Sequence, residues 1–292
     1  MQLRGTRTLL TGASSGVGYH LALGLAQRGA RLALAARRST LLDELGEKIA
    51  ATGAERPTLL SADLSQRGTA AQLAEEARSR LGGVDLLINN AASNLHGCPS
   101  AVGDRDEARE LFELNVWSPL ALVRELVPEM QARGDGMVVN VTSLAVVAPF
   151  PAVGHYCASK AALSLATRSL DLEMRPTGVR VLEVLLGVLD TEGSRANRAI
   201  AGADRWLDAA KPGKPEKAAQ AITRAIERDR SRLIYPRRMS PAHELPLLGR
   251  IYARSVLRGF DPSQVTVKRT GWQPESEART GAGDDAQMGA GA

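Results

Sequence analysis

The sequence predicts an α/β protein built on a doubly wound parallel sheet. Two observations predict it: short apolar, β-forming segments alternate with longer segments of helical period, and a glycine-rich turn joins the first apolar segment to the first helix. Because the strands are apolar on both faces and helices separate them, we expect them to pair in parallel beneath helices on each side. The chain has 292 residues, 44% of them hydrophobic, which is enough for one large core.

The predicted elements follow in order, each strand as a short β-rich run and each helix by its apolar period. Strands are expected at "RTLLTG" (7–12), "RLALAA" (31–36), "PTLLSA" (57–62), "VDLLINNA" (84–91), "GMVVNVTS" (136–143) and "VRVLEVLL" (179–186). Helices are expected between them at 16–28, 39–52, 66–81, 105–132 and 155–175. After a polar segment come a helix at 215–228, a short strand at 232–236 and a helix at 243–260.

These elements predict one domain over residues 1–240 and a C-terminal helical extension over 241–270. Residues 271–292 have almost no apolar side chains to bury, so we expect a disordered tail. The helix at 243–260 has an apolar stripe beside three arginines. We expect it to close over a cleft or a subunit interface, with membrane contact as a second possibility.

Composition argues against several functional classes. The formal net charge is +5, and residues 224–269 hold eleven Lys or Arg against four Asp or Glu. Aromatic residues make up only 3% of the chain, and no helix-turn-helix pattern accompanies the basic region, so we expect no nucleic-acid partner. Two distant cysteines, Cys98 and Cys157, offer neither a metal cluster nor a disulfide framework. With no signal peptide and no long apolar segment, a cytoplasmic location is expected.

The turn "TGASSGVG" has the chemistry of a phosphate site. Gly12, Gly16 and Gly18 lie between a strand and a helix, where backbone N–H groups can meet a pyrophosphate at the helix N-terminus. Ser14 and Ser15 add hydroxyl groups to the same loop. The alternative is a tight connection with no ligand, but the order of strand, turn and helix favours the phosphate site.

The end of the second strand indicates which dinucleotide would bind. An acidic residue there binds the ribose 2′-hydroxyl, whereas arginine accommodates a 2′-phosphate. Ala36 occupies the acidic position, and Arg37 and Arg38 follow it. A solvated arginine pair opening a helix is the alternative, although the helix dipole disfavours cations in a first turn. The pattern favours NADP(H).

Polar residues also follow the third and fourth predicted strands. Asp63 ends "SAD", and Asn89 and Asn90 end "LLINN". Carboxyl ends of parallel strands are where open sheets bind ligands. Asp63 could instead cap the next helix, whereas two amides after an apolar strand are harder to explain without a site.

The whole set of motifs resembles the short-chain dehydrogenase/reductase family over roughly residues 5–235. It comprises "TGASSGVG", "NNAA", Asn115 in "LNVWS", Ser143 in "NVTS", and "YCASK" with Tyr156 and Lys160. The resemblance implies a Rossmann-like fold and catalytic roles for Asn115, Ser143, Tyr156 and Lys160. It also implies that Lys160 holds the nicotinamide ribose and that Asn115 helps keep a proton-relay water. The cofactor-binding residues expected from the motifs and the resemblance are Gly12, Ser14, Ser15, Gly16, Val17, Gly18, Arg37, Arg38, Asp63, Leu64, Asn90, Ala91, Tyr156, Lys160, Leu189 and Thr191.

Spacing gives the Tyr156 and Lys160 pair a physical meaning. Four residues apart on a helix, they share one face, and a nearby ammonium favours the phenolate, so we expect a lowered pKa for Tyr156. Tyr156 would then exchange the proton while hydride moves, and Ser143 would hold the substrate oxygen. His155 and Cys157 are expected to be packing or surface residues.

Two positions depart from the family pattern. Leu186 stands where the family usually has proline, although Gly187, Leu189 and Thr191 match, and Ala92 replaces the last glycine of "NNAG". The first change puts the rigidity of that loop in doubt, and the second adds one methyl group beside the expected cofactor.

The leading hypothesis is an NADP(H)-dependent oxidoreductase that interconverts a carbonyl and a secondary alcohol without a metal. The alternative is a non-catalytic NADP(H)-binding protein that senses redox state. The substrate would be lined by residues 144–154, which are apolar, and by the charged segment 188–210. The resemblance suggests a homodimer or homotetramer assembled through helices 105–132 and 153–175.

Overall fold

The computed structural model describes residues 1–147, 152–191, 194, 211–241, 265 and 267–270, the last three of these by backbone alone. The predicted helix at 243–260 and the tail from 271 lie outside the described residues. So do four residues of the predicted apolar lining and most of segment 188–210.

The described chain contains a seven-stranded sheet and a separate two-stranded sheet. Every neighbouring pair in the large sheet is parallel, and its order is β3-β2-β1-β4-β6-β7-β8. The predicted doubly wound parallel fold is therefore confirmed. The strands are β1 Arg7–Thr11, β2 Arg31–Ala36, β3 Thr58–Ser61, β4 Leu86–Asn89, β5 Asn94–His96, β6 Gly136–Ser143, β7 Val179–Leu186, β8 Arg232–Tyr235 and β9 Lys268–Thr270.

Helices cover both faces of the large sheet and bury its apolar side chains. On one face Leu21, Leu45 and Ile222 join a fully buried cluster, and on the other face Leu73, Leu126 and Leu170 do so. A helix therefore covers each strand connection, as parallel pairing requires. The helices are α1 Gly16–Ala26, α2 Ser39–Ala50, α3 Thr69–Leu81, α4 Pro99–Val102, α5 Asp106–Phe112, α6 Ser118–Arg133, α7 Gly154–Met174 and α8 Pro215–Glu227.

The helix predicted at 105–132 is present as an unbroken helical segment over 106–133, but a π-helical turn at Glu113–Trp117 divides it into α5 and α6. Pro119 stands at the start of α6 and has no N–H to donate to the carbonyl of Asn115 four residues earlier. The backbone hydrogen bonds of the helix shift by one residue here, and the N–H of Ser118 donates to the carbonyl of Glu113, five residues earlier. The extra residue turns Asn115 into the protein interior, where it is fully buried.

The two-stranded sheet was not predicted from the sequence. β5 and β9 are three residues each and pair antiparallel, Asn94 opposite Thr270 and His96 opposite Lys268. Strands this short carry no clear period. Among the helices of the described residues, none combines the length and the hydropathy that a membrane span requires.

Candidate active site

The glycine turn after β1 lies directly against the segment that follows β4. Gly12 has a φ of +68°, and a Cβ there would lie 2.7 Å from the Cα of Ala91 and 2.9 Å from the Nδ2 of Asn90. A Cβ on Gly18 would lie 2.6 Å from the same amide and would collide with the carbonyl of Gly12. No side chain fits at either position, so the turn presents bare backbone at the start of α1. This is the geometry that a pyrophosphate requires.

Asn90 and Thr11 lock these two segments together. The Nδ2 of Asn90 donates to the carbonyl oxygens of Thr11 and Gly12, at 3.0 and 3.1 Å. In return the Oγ1 of Thr11 accepts from the backbone N–H groups of Asn90 and Ala91, at 3.0 and 3.1 Å. Sequence reasoning assigned no role to Thr11, although it stands immediately before the first glycine. The Asn90 side chain acts here as a clamp on the turn.

The rest of the turn leads into α1. Ser15 is the exposed N-cap residue with extended backbone, and its side chain makes no capping bond. Val17 and Gly18 are buried, which leaves Ser14, Ser15 and Gly16 at the open side of the loop. A Cβ on Gly16 would lie 3.5 Å from the Cγ2 of Thr191, so the segment after β7 approaches the same turn.

The two predicted 2′-phosphate ligands lie at the end of β2. Arg38 is the N-cap residue of α2, and its Nη2 donates to the Oγ of Ser14 at 3.5 Å. Arg37 is half-buried, and its carbonyl accepts a bond from Ser61 at 3.4 Å. The Arg38 guanidinium therefore reaches the glycine turn across the loop. Ala36 contributes no negative charge at this place.

Asp63 does not cap the following helix, which begins six residues later after Gly68. Its Oδ1 instead accepts bonds from the N–H and the hydroxyl of Ser65, at 3.0 and 2.7 Å. Leu64 is buried, and its carbonyl accepts a 2.7 Å bond from Ser118. These bonds fix the loop after β3 against the start of α6.

Ser143 and Tyr156 meet at the carboxyl end of β6. The Ser143 hydroxyl donates to the carbonyl of Leu186 at 3.3 Å and accepts from the N–H of Ala145 at 3.1 Å. Burial raises the pKa of Tyr156, and a hydrogen bond with the Ser143 side chain opposes that rise. The prediction of a lowered Tyr156 pKa is therefore wrong for this structure. Desolvation of the phenolate outweighs the interactions that favour it.

The charge of Lys160 is not among the interactions that shift the Tyr156 pKa. Its ammonium is buried, at 2% exposure, and donates to the carbonyl of Val141 at 2.9 Å. Burial lowers the pKa of Lys160 to about 8, so its positive charge is itself costly there. The ammonium is directed to backbone of β6, beneath the serine that Tyr156 contacts.

The side chain of Asn115 is hydrogen-bonded to two other segments of the protein. Its Oδ1 accepts from the N–H of Ser93 at 3.1 Å, and its Nδ2 donates to the carbonyl of Ser93 at 3.1 Å and to the Oγ of Ser159 at 3.0 Å. The amide therefore ties the π turn to the segment after β4 and to α7. Sequence reasoning assigned no role to Ser93 or Ser159, although Ser159 stands directly before Lys160.

The segment after β7 is held by local bonds. The carbonyl of Leu189 accepts from the N–H of Thr191 at 3.0 Å and from the hydroxyl of Ser194. Leu186, at the family's proline position, continues the ladder between Ser143 and Tyr235. The position where the family has proline is therefore part of the sheet in this chain.

The remaining expectations concern packing. Ala92 is exposed and does not have a positive φ, which among the described non-glycine residues only Lys211 and Asp229 have. Its methyl group therefore causes no backbone strain. His155 contacts the carbonyl of Gly103 at 2.8 Å, and Cys157 is buried, which agrees with packing roles for both. No group of His, Cys, Asp or Glu in the described residues could hold a metal ion.

The sheet therefore gathers two sets of predicted residues along one edge. The glycine turn, Asn90 and Arg38 lie after β1, β4 and β2, around the point where the connections reverse direction. Ser143, Tyr156 and Lys160 lie at the end of the neighbouring β6. Ligands of open parallel sheets bind at such a switch point. The first set fits a dinucleotide, since it offers bare backbone, a helix N-terminus and a guanidinium.

Comparison with known proteins gives consistent matches. The family described as short chain dehydrogenase matches residues 6–200. A fatty acyl-CoA reductase of Mycobacterium tuberculosis is 32% identical over 236 residues, covering 77% of this chain and 80% of the relative.

Two similar solved structures carry nicotinamide cofactors. A short-chain dehydrogenase from Sphingobium yanoikuyae in complex with NADPH has a TM-score of 0.73 at 27% identity, covering 88% of this chain and 96% of that one. A short-chain dehydrogenase/reductase from Burkholderia phymatum in complex with NAD has a TM-score of 0.75 at 26% identity, covering 86% and 97%. Similar proteins therefore bind either cofactor.

Proposed function

Because the chain belongs to the short-chain dehydrogenase family, we propose that it is an NADP(H)-dependent oxidoreductase that interconverts a carbonyl and a secondary alcohol. The observation that carries this proposal is the contact of Tyr156 with Ser143 beside the buried Lys160 ammonium, next to a turn shaped for a dinucleotide. When bound, NADP(H) supplies or accepts the hydride at the substrate carbon.

Tyr156 is the general acid in reduction and the general base in oxidation. Its raised pKa keeps the phenol protonated at neutral pH, which suits donation of a proton to a carbonyl oxygen that gains charge. Ser143 has its hydroxyl fixed by two backbone partners and would hold that oxygen beside the phenol. In the proposed complex Lys160 holds the nicotinamide ribose.

The preference for NADP(H) rests on charge at the end of β2. Arg37 and Arg38 follow Ala36, and Arg38 already contacts the glycine turn. A 2′-phosphate would receive charge-assisted hydrogen bonds from such groups, whereas the ribose 2′-hydroxyl of NAD(H) lacks its usual carboxylate acceptor. The proposed cofactor contacts at Leu189 and Thr191 are supported by the approach of Thr191 to Gly16.

A homo-oligomer assembled through α7 is part of this proposal. Trp117, Leu165 and Leu172 are the large hydrophobic side chains exposed in the described residues, at 56%, 64% and 61%. The two leucines are seven residues apart and so share one face of α7. The free thiols of Cys98 and Cys157 support a cytoplasmic location.

The test is an NADPH-oxidation screen over ketones and aldehydes, followed by Tyr156→Phe on any substrate found. Removal of the proton donor should lower kcat by about 10² to 10⁴ while NADPH still binds. Tyr19→Phe is the matched control, because it removes a hydroxyl from another ring that packs against a buried cluster, the one that contains Leu21. Turnover of Tyr156→Phe within about twofold of the parent would remove Tyr156 from the mechanism. A parent that binds NADPH but reduces no member of the panel would favour the redox-sensing alternative.

A further inference from the structure

We propose that the C-terminal strand β9, together with Val267, is a positioning element for Tyr156. It acts through β5, whose flanking residues Ser93 and Gly97 hold Asn115 and the start of α7. This inference rests on the proposed function, since it assigns these residues to the same reaction.

The first step is the attachment of β9 to β5. The two strands pair antiparallel, Leu95 opposite Arg269, and Val267 packs on a buried cluster that includes Leu95 and Leu111. A Cβ on Gly97 would lie 3.2 Å from the Cγ2 of Val267, so the valine also covers the residue that directly follows β5. The C-terminal segment thus holds β5 on its backbone edge and by side-chain packing.

The second step leads from both ends of β5 to the proposed catalytic residues. Immediately before the strand, the N–H and carbonyl of Ser93 both bond the side chain of Asn115. Immediately after it, the N–H of Gly97 donates to the carbonyl of Ala152 at 2.9 Å, and Gly97 bridges to Val153. Ala152 and Val153 directly precede α7.

The third step reaches Tyr156 itself. The amide of Asn115 donates to the Oγ of Ser159, which in turn donates to the carbonyl of Tyr156 at 2.8 Å. His155 is held from the same side by the carbonyl of Gly103. His155, directly before Tyr156, and Ser159, three residues after it, are therefore both hydrogen-bonded to the region around β5 that β9 supports.

The support matters because this region lies apart from the large sheet. Its buried cluster is separate from the two main cores and consists of four residues, with Val267 packed against them. A unit with so few apolar contacts opens at lower cost than the central strands do. Loss of β9 should therefore loosen the first turn of α7 while the glycine turn, held by Thr11 and Asn90, stays intact. A displacement of about 1 Å at a catalytic group can cost about a hundredfold in rate.

The experiment uses full-length variants in two matched pairs. Val267→Asp introduces a charge at the packed valine, and Val265→Asp makes the same change two residues earlier, where no contact with that cluster occurs in the described residues. Ser159→Ala removes the hydroxyl that links Asn115 to Tyr156, and Ser169→Ala removes an exposed hydroxyl from the same helix. We measure kcat, KM, the Kd for NADPH and backbone amide exchange.

We expect Val267→Asp to lower kcat at least about tenfold with the Kd for NADPH within about threefold of the parent. Ser159→Ala should act in the same direction by several-fold, and both controls should stay within about twofold. Amide exchange should accelerate at residues 93–97 and 154–157 and remain slow in β1 and β2. If Val267→Asp does not fold, we use Val267→Ala instead. We expect it to change kcat and amide exchange in the same direction, but less.

Two results would overturn the inference. One is a folded Val267 variant, or a folded Ser159→Ala, that keeps the parent kcat. The other is a loss of NADPH affinity as large as the loss of kcat, with faster exchange throughout the sheet, since that indicates general destabilisation. A parent protein without any turnover would contradict the proposed function instead, so the two failures are distinguishable.

Discussion

Lys160 donates its buried ammonium to the carbonyl oxygen of Val141 at 2.9 Å, and burial lowers its pKa to about 8. A lysine that faced water would remain charged up to pH 10. Here the charged form of Lys160 is stabilised because a backbone carbonyl accepts a hydrogen bond from one of the three N–H groups of the ammonium. The folded protein therefore binds this proton less tightly than the unfolded chain does, and its stability depends on pH.

The first prediction follows from that difference. Between about pH 8 and the ordinary value of 10.5, the unfolded chain keeps the Lys160 proton and the folded protein loses it, so stability rises with pH across this window. Urea unfolding should show the parent gaining stability relative to Lys160→Met, by at most about 1.4 kcal/mol per pH unit. Below pH 8 the two curves should run parallel. Parallel curves from pH 7 to 10 would refute a lowered pKa.

The second prediction concerns cofactor choice. NADPH should bind at least about tenfold tighter than NADH, since a charge-assisted bond contributes roughly 1.5 to 3 kcal/mol. Arg37→Ala and Arg38→Ala should each narrow that gap by weakening NADPH without changing NADH. Arg56→Ala is the control, because Arg56 pairs with Glu47 near the opposite end of α2. Equal affinities of the parent for the two cofactors, measured by titration, would defeat the assignment.

The third prediction compares two glycines of similar backbone conformation. Gly12 and Gly53 have φ values of +68° and +80°, but only at Gly12 would a Cβ meet other atoms within 4 Å. Gly53→Ala should cost about 1 to 2 kcal/mol of unfolding free energy and leave NADPH binding unchanged. Gly12→Ala should cost more and weaken NADPH at least about tenfold, since the clamp by Asn90 must open. Similar losses in the two variants would show that the close approach is unimportant.

The fourth prediction tests assembly. Replacing both Leu165 and Leu172 with glutamate places charges on the exposed apolar face of α7, which should dissociate an oligomer formed there. Light scattering after size-exclusion chromatography measures the mass. Gln72→Glu, on the exposed face of α3, should leave the mass unchanged. A parent that already elutes as a monomer, or a double variant with the parent mass, would contradict the proposed interface.

Much of the fold follows from local patterns. The apolar runs from "RTLLTG" to "VRVLEVLL" alternate with helical periods, and each predicted strand of the large sheet is present with its ends within two residues of the prediction. Strand burial on both faces makes this pattern strong, because each strand position must be apolar. The glycine turn was equally readable, since a strand, three glycines and a helix occur in immediate succession.

The proposed active-site residues were also named from sequence, but their environments were not. Tyr156 and Lys160 were correctly placed on one helix, yet the sign of the Tyr156 pKa shift was wrong. Spacing reveals that a cation is near, whereas desolvation depends on everything packed around the phenol. The π turn at Asn115 had one local signal, Pro119, whose missing N–H disturbs the helical ladder.

Local sequence patterns are sufficient to predict the order of strands and helices and the chemical groups at the strand ends, because these depend on neighbours within a few residues. The folded chain adds contacts that these patterns do not predict: Thr11 and Asn90 clamp the glycine turn, Ser159 joins Asn115 to Tyr156, and β9 pairs with β5 across more than 170 residues. Each of these contacts joins segments far apart in the chain. Their partners are selected by the packing of the whole sheet, which no local pattern encodes.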